Sequence, residues 1–567
     1  MALLTLRERC QKRLASLKNL RTPFEPEAMD IARYAAPARS RFQNSDTNKP
    51  GRVRNKALYS NHGITSFRTL TGGMTSGLTS SSRPWFQLAT QDEEMMDEPD
   101  VREWLTEVTR RMYVFLAHSN FYGAAKTGYT ELGLFGTEAC VMVEDMDYGL
   151  VFHALTFGEY WIGLNKSNMV DTLYRRVPMS AIQAIQSFGY NRVRAAIRTA
   201  YDSGNYEMAV DVVHAIEPNI DRDPKMLDRR GMEYRSVWWD EQDDALNTVS
   251  KDALSDGDDM RGLLRNKGYP EKPFWAARWD TTGADAWGTG PGADALPDLR
   301  ELQLQSKRKA EATDQLVWPE IVVPTGVKLR RQPKSVVAAA GVDLSGIAVP
   351  YKVPYQAVEA IKLDIDKCEE NIDDATYAQL FMAITNMQGI QPRNVQEIAS
   401  RNEEKLTQLG PVIERVNTEK LEVAIDRSFA VMGRMGMIPE APESIQGNDL
   451  KINFVSILTQ MQRMIGIGQI ERTVGFIGNL AAVFPSAADK LNTDEVIDDY
   501  ADRAGAPQKI IRTQAEVDAI RERAAAQQQM AQMAAMAGPA KDGAEAARLL
   551  SETDATGASV MDRIMPQ

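Results

Sequence analysis

The longest run of apolar residues at helical spacing lies between Asn394 and Gly433. Leu406, Leu409, Ile413 and Val416 recur every three or four positions, and Leu421, Ile425, Phe429 and Met432 continue the stripe after a shift of register. That period puts apolar side chains on one face of a helix. At ~1.5 Å per residue such a helix would run roughly 60 Å. Gly410 and Pro411 sit inside it. Proline removes a backbone donor and crowds the preceding turn, so a kink is predicted there. A helix this long exceeds the needs of one small core and suggests a spine through layers of an assembly.

The rest of the chain alternates between the two periodicities. Leu3, Leu6, Cys10, Leu14 and Leu17 predict an N-terminal amphipathic helix whose polar face carries Arg7, Arg9, Lys12, Arg13 and Lys18. A solvated face is the first reading of that basic run, and contact with phosphate or an acidic partner is the other. Val101, Leu105, Val108 and Met112 predict a helix over 101–116. Strands are predicted over 138–144 and 151–155 around a Tyr148-Gly149 turn, then over 161–164 and 170–177, with a helix over 180–188 ended by Gly189. Residues 240–268 read as a loop or excursion rich in Asp and Gly, and apolar structure resumes over 273–279.

A punctuated stretch, 283–297, leads into a helix over 298–313, with Pro297 suited to its first turn. Four prolines between 318 and 353 predict short strands and turns. Residues 356–382 predict one further helix, with Val358, Ile361, Ile365, Cys368 and Ile372 on a face. Two helices therefore bracket a compact insertion. Smaller helical pieces are expected after Pro439, and an Ala/Gln/Met-rich helix over 514–536, capped by Thr513 and Glu516, has too thin a stripe to stand without neighbours. Mixed helix and strand signals in this order indicate an α+β chain.

Composition narrows what such a chain does. Of 567 residues, 43% are apolar and 25% charged, as in globular proteins generally, and no stretch approaches the ~18 apolar residues of a membrane span. Three scattered cysteines, Cys10, Cys140 and Cys368, support neither a zinc site nor a disulfide scaffold and fit a reducing place of assembly. The net charge of −12 argues against tight DNA binding, which needs basic patches to neutralise phosphates. Either the chain does not meet nucleic acid, or it meets DNA without holding it.

Catalytic chemistry is scarce. His62, His118, His153 and His214 have no second histidine or cysteine at ligand spacing, and Asp211 before His214 is a lone pair. The Gly123–Thr127 run lacks the glycine before lysine and the leading strand of a phosphate loop, and 163–167 fails likewise. The acidic runs 144–147 and 256–259 lack the alternating ligands of a calcium loop; a two-metal nuclease would need carboxylates brought together from separate strands, with Asp145 and Asp147 the residues to substitute in testing it. Trp85-Phe86, Trp238-Trp239 and Trp275 with Trp279 could stack bases but lack an interleaved basic stripe, so core packing is the better reading.

A set of ordered motifs resembles the portal (head-to-tail connector) proteins of short-tailed bacteriophages. Residues 68–88 read RTLTGGMTSGLTSSSRPWFQL, a small-residue helix running into a Trp-Phe-x-Leu ending. Val101–Leu105 and Ser119–Tyr122 follow, then LGLFGT over 132–137, GTGPGADALPDL over 288–299, LGPVIERVNTEKLEVAIDRSF over 409–429, and Met437-Ile438-Pro439. Each motif is short; their collinear order over residues 1–475 is what is specific.

The resemblance implies an α+β portal fold in layers: a wing (1–282), stem helix 1 (283–313), a clip (314–354), stem helix 2 (355–382), a tunnel loop (383–393), the long kinked helix (394–434), a crown (435–512) and a C-terminal barrel helix with its tail (513–567). It implies a closed ring of roughly twelve copies around double-stranded DNA. The implied partners are the terminase large subunit, the major capsid protein, a tail adaptor and scaffold or internal core proteins, in a virion vertex assembled in the host cytoplasm. No cofactor, metal, membrane or catalytic residue is implied. The channel-facing candidates are Asn386, Gln388, Gln391 and Arg393, with Gly410 and Pro411 at the kink. A metal-dependent DNA-processing enzyme, or a tail or scaffold protein that never touches DNA, are the competing readings.

Overall fold

A computed structural model describes residues 5–39, 58–92, 95, 98–145, 147–242, 260, 262–322, 353–386, 403–447, 450–464, 467–482, 484–504, 512 and 517–529. In chain order its main elements are α1 Leu6–Arg21, α2 Glu25–Ala35, α3 His62–Leu78, β1 Phe86–Thr90, α4 Pro99–His118, α5 Phe121–Phe135, β2 Thr137–Asp145, β3 Gly149–Leu155, β4 Tyr160–Leu164, β5 Val170–Ser180, α6 Ala181–Phe188, α7 Ala195–Asp202, β6 Ala209–Pro218, β7 Tyr234–Asp240, β8 Arg265–Tyr269 and β9 Phe274–Arg278. Then come α8 Pro291–Asp294, α9 Leu296–Val317, α10 Tyr355–Ala375, α11 Ala378–Asn386, α12 Glu403–Val416, α13 Val423–Arg434, β10 Leu450–Phe454, α14 Ile457–Met464, α15 Ile467–Ala481 and α16 Thr493–Ala504. The chain is α+β, and it divides into two compact units, Met1–Gly468 and Gln469–Gln567.

Among the described residues the first unit holds three sheets. An antiparallel sheet in the order β4-β5-β6-β7-β8 has helices on both faces. Strand alternation sorts its residues: Val213, Ala215, Val237 and Trp239 pack with Leu6, Cys10, Leu14 and Leu17 of α1, whereas Val210, Val212 and Trp238 pack with Ala184, Phe188 and Ile197 of α6 and α7. Trp238 and Trp239 thus face opposite sides, both inside cores, as the packing reading expects. Helix α1 starts at a capping box between Thr5 and Glu8. Its Arg7 is not on a solvated face. It is buried, and its guanidinium donates to Gly262 O and Asp240 O, at 3.1 and 3.3 Å, because the chain after β7 folds over this end of the helix. Residues 240–268 are not all loop either: 265–269 form β8, which covers the edge of β7.

The second sheet, β3-β2-β9, lies between two larger cores. Gly136 ends α5 at φ +69, a left-handed conformation open to glycine without a side-chain penalty, and β2 begins one residue later. Cys140, Met142 and Trp275 face α4, α5, α12 and α13; Ala139, Val141 and Phe274 face α2, α9 and α10. The third sheet pairs β1 with β10, Phe86 opposite Phe454 and Leu88 opposite Ile452. Only helical pieces were expected after Pro439. Leu450, Ile452 and Phe454 do alternate, but a five-residue alternation is too short to identify a strand whose partner lies hundreds of positions earlier.

In the second unit, residues from Gln469 continue α15, a 3-10 turn spans Pro485–Lys490, and α16 follows. Tyr500 Oη donates to Glu471 Oε1 at 3.2 Å, and Arg521 pairs with Asp494. Residues 517–529 are helical; the expected cap at Thr513 and Glu516 lies outside the described residues.

Candidate functional site: a helix pair and a clasped long helix

Helices α9 and α10 lie side by side. Leu296, Leu299 and Leu302 share a core with Ile365, Cys368 and Ile372, and Asn371 Nδ2 donates to Asp298 Oδ1 at 2.9 Å. Beyond that base both helices expose apolar side chains, among them Leu304, Leu316, Trp318, Tyr355 and Leu363. Most of the expected strand-and-turn insertion between them, residues 323–352, lies outside the described residues.

The expected single helix over 356–382 is two helices. The break is at Thr376-Tyr377, where Tyr377 takes φ +53 and Thr376 Oγ1 donates back to Ile372 O at 2.9 Å. The physical reason is a change of core. Ile372 packs beside α9, whereas Leu380 and Phe381 of α11 enter the core containing α12. The apolar spacing continues across the break, which hides it in the sequence. Helix α3 is the shared support: Gly73 touches Phe381 so closely that a Cβ there would overlap the ring. His62 Nε2 contacts Asp373 Oδ1 at 3.0 Å, and Ser66 donates to the same carboxylate.

Of the channel candidates, Asn386 ends α11, while Gln388, Gln391 and Arg393 lie outside the described residues. Gly410 and Pro411 lie within α12, which is helical through the proline. The departure from α geometry comes later, in a π-helical turn at Asn417–Glu422. That turn brings two consecutive charged residues into the interior. Glu419 accepts the backbone N–H of Arg278 at 2.9 Å and its guanidinium Nη2 at 2.5 Å. Lys420 Nζ donates to Glu138 Oε1 at 2.7 Å and to Ala125 O at 3.3 Å, and lies 3.5 Å from the Tyr129 ring centroid. Lys420 and Glu138 are both fully buried. Burial pushes the Glu138 carboxyl up and the Lys420 ammonium down, and each charge pulls the other back towards its ionised form. A side chain at Gly128 would overlap the Glu138 carboxylate, so this small residue of α5 makes the room.

Sequence reading missed these four charged residues. The visible trace was the shift in the apolar stripe: Val416 to Leu421 is a step of five, the period of an i to i+5 turn. The groups proposed for other chemistry have structural partners. Glu144 pairs with Arg427 and Arg434, and Asp145 Oδ1 accepts the N–H groups of Asp147 and Tyr148. The 256–259 run lies outside the described residues. His214 is bonded to Arg175 and Ser236 and stacked on Trp238, and Gly123–Thr127 lies within α5. Among the described residues no group of three or more His, Cys, Asp or Glu is placed to hold a metal, and no helix is long and apolar enough to cross a membrane.

The motifs that carried the resemblance form contacts between distant parts of the chain. Tyr113 Oη accepts the N–H groups of Trp85 and Phe86, each at 2.8 Å, and Trp104 Nε1 donates to Pro439 O at 3.0 Å. A family model described as bacteriophage head to tail connecting protein matches residues 7–511. The chain belongs to this family. It is 37% identical to the portal protein of Salmonella phage epsilon15, over 99% of this chain and 98% of that one. It is 35% identical to a probable portal protein of Bordetella phage BPP-1, over 98% and 97%. The matched residues 7–511 of this head-to-tail connecting family take in both the helix pair and the long helix.

Proposed function

We propose that this chain is a phage portal subunit: a structural component of a capsid-vertex ring through which double-stranded DNA is packaged and ejected. The observation that carries the reading is the near full-length similarity to the epsilon15 portal protein. The paired helices α9 and α10, with apolar side chains left exposed beyond their shared base, suit packing against further copies. On this reading they belong to the stem segments 283–313 and 355–382, with α9 running on to Val317, residues 314–354 are the clip, and residues 1–282 are the wing. Residues 394–434 are the long helix, with Gly410 and Pro411 inside it and the π turn at Asn417–Glu422, and 435–512 and 513–567 are crown and barrel. Roughly twelve copies close the ring. The clip docks the terminase large subunit during packaging and a tail adaptor afterwards, and the major capsid protein and scaffold or core proteins meet the outer surfaces. The subunit sits in the virion after assembly in the host cytoplasm and performs no catalysis.

The net charge of −12 suits a conduit. DNA must slide in both directions, and each phosphate held by a cation adds resistance to movement. Sparse contacts are enough for guidance: Arg393, beside the neutral Asn386, Gln388 and Gln391, is the channel cation of this reading. Electron microscopy of the purified chain should show rings with a central hole about as wide as a duplex; solitary compact particles under assembly conditions would refute the reading. Arg393→Ala should assemble into rings but lose packaged DNA. Unchanged packaging and retention would remove Arg393 from the channel assignment.

A further inference from the structure

Both halves of the long helix pack on the β3-β2-β9 sheet, with Arg415 of α12 donating to Trp279 O just after β9 at 3.1 Å, but their remaining ties differ. Arg427 and Arg434 of α13 pair with Glu144 at the end of β2 and with Glu271 just before β9. The preceding half, α12, faces the end of the helix pair: Lys405 Nζ lies 2.9 Å from Asp374 Oδ1 of α10, and Leu406 and Leu409 share a core with Leu380 and Phe381 of α11. Between the halves is the π turn. Such a turn carries a residue that an α-helix of the same span would not hold. Reverting it to α geometry would rotate one half against the other by about 100° and shift it by ~1.5 Å. The clasp opposes that change at both of its charged residues. Glu419 is anchored on β9 through Arg278, and Lys420 is anchored on β2 and α5 through Glu138 and Ala125. Neither can turn away without leaving a buried partner charge uncompensated.

We propose that the turn at Asn417–Glu422, with Glu138, Arg278, Glu419 and Lys420, is a register lock. It holds the helix-pair end of the molecule in one setting relative to the β3-β2-β9 sheet, and its release lets the long helix step by one residue when the conduit passes from admitting DNA to holding it. Packed cores favour discrete arrangements over continuous sliding, so a one-residue step is a natural unit of such a change. The inference rests on the portal reading.

The test uses full-length chains assembled into rings and capsids. Glu138→Leu with Lys420→Met removes the inner pair without leaving an unpaired charge. Gly128→Ala keeps every charge and intrudes on the Glu138 carboxylate. Amide hydrogen exchange over 417–422 should speed up by about tenfold or more in folded rings of either variant, and DNA packaging or retention should fall. Exchange at the parent rate would overturn the lock, and so would faster exchange with parental packaging and retention. The parent chain supplies an independent measurement if the variants do not fold: protection over 417–422 should differ between empty and DNA-filled particles, and identical protection sinks the proposal. A parent chain that forms no rings refutes the portal reading itself, whereas parental rings with an indifferent turn refute only the lock.

Discussion

Glu131 offers the sharpest test of the buried electrostatics. It lies on α5 with its carboxylate wholly enclosed; Oε2 accepts the N–H of Phe157 at 2.9 Å and Oε1 meets Arg39. Burial pushes its pKa from the ordinary 4.5 up to about 7, with Arg39 and the Phe157 N–H opposing the rise. A carboxyl whose folded pKa is raised binds its proton more tightly in the native state than in the unfolded chain. Its contribution to stability is therefore full at low pH and is lost as pH rises from about 4.5 through about 7. At 1.36 kcal/mol per pH unit the gap corresponds to about 3 kcal/mol. Glu131→Gln removes the titration. The amide can still accept from Phe157 N, and whatever it loses at Arg39 is a cost that does not vary with the variant's own protonation. Thermal or denaturant unfolding of parent and variant should be compared at several pH values from 4 to 8. The variant should gain on the parent steadily across that window, by up to about 3 kcal/mol in total. A parent-to-variant difference that is flat with pH would refute the reasoning, because it would mean that the carboxyl titrates alike in folded and unfolded chains.

Three further outcomes can be checked by stability measurements. Tyr113→Phe removes the acceptor of two backbone N–H groups at Trp85 and Phe86, so unfolding should become easier by about 1–3 kcal/mol for each group left unsatisfied. Gly73→Ala drives a Cβ into the Phe381 ring, and overpacking of this kind should cost about 1–3 kcal/mol, visible as a lower Tm. His214 is buried beside Arg175, and burial and that cation together hold its pKa well below the usual 6.5. A base with a depressed folded pKa stabilises above its unfolded pKa and loses that contribution as pH falls. Parent stability relative to His214→Gln should therefore decline below about pH 6.5, with a slope of up to about 1.36 kcal/mol per pH unit; matched slopes would show that His214 is protonated alike in both states.

What the sequence determined by itself is the local part of this structure. The 3.6-residue period places α1, α4, α9 and the α12–α13 spine, and strand alternation around Tyr148-Gly149 places β2 against β3. Ser180 and Gly189 bound α6 because capping and positive φ are decided by the residues themselves. Even the π turn left a mark, in the five-residue step from Val416 to Leu421. Tertiary structure alone decided which distant groups meet. β1 pairs with β10, Arg7 enters a core, and the helix expected over 356–382 breaks at Tyr377 to pass from one core to another. Glu138 finds Lys420, and Arg278 finds Glu419, 282 and 141 positions apart in the chain. A charge in an apolar run does not name its partner in one dimension. Whether it is buried depends on the neutralising group that the fold delivers from elsewhere, and that energy exists only once both are out of water.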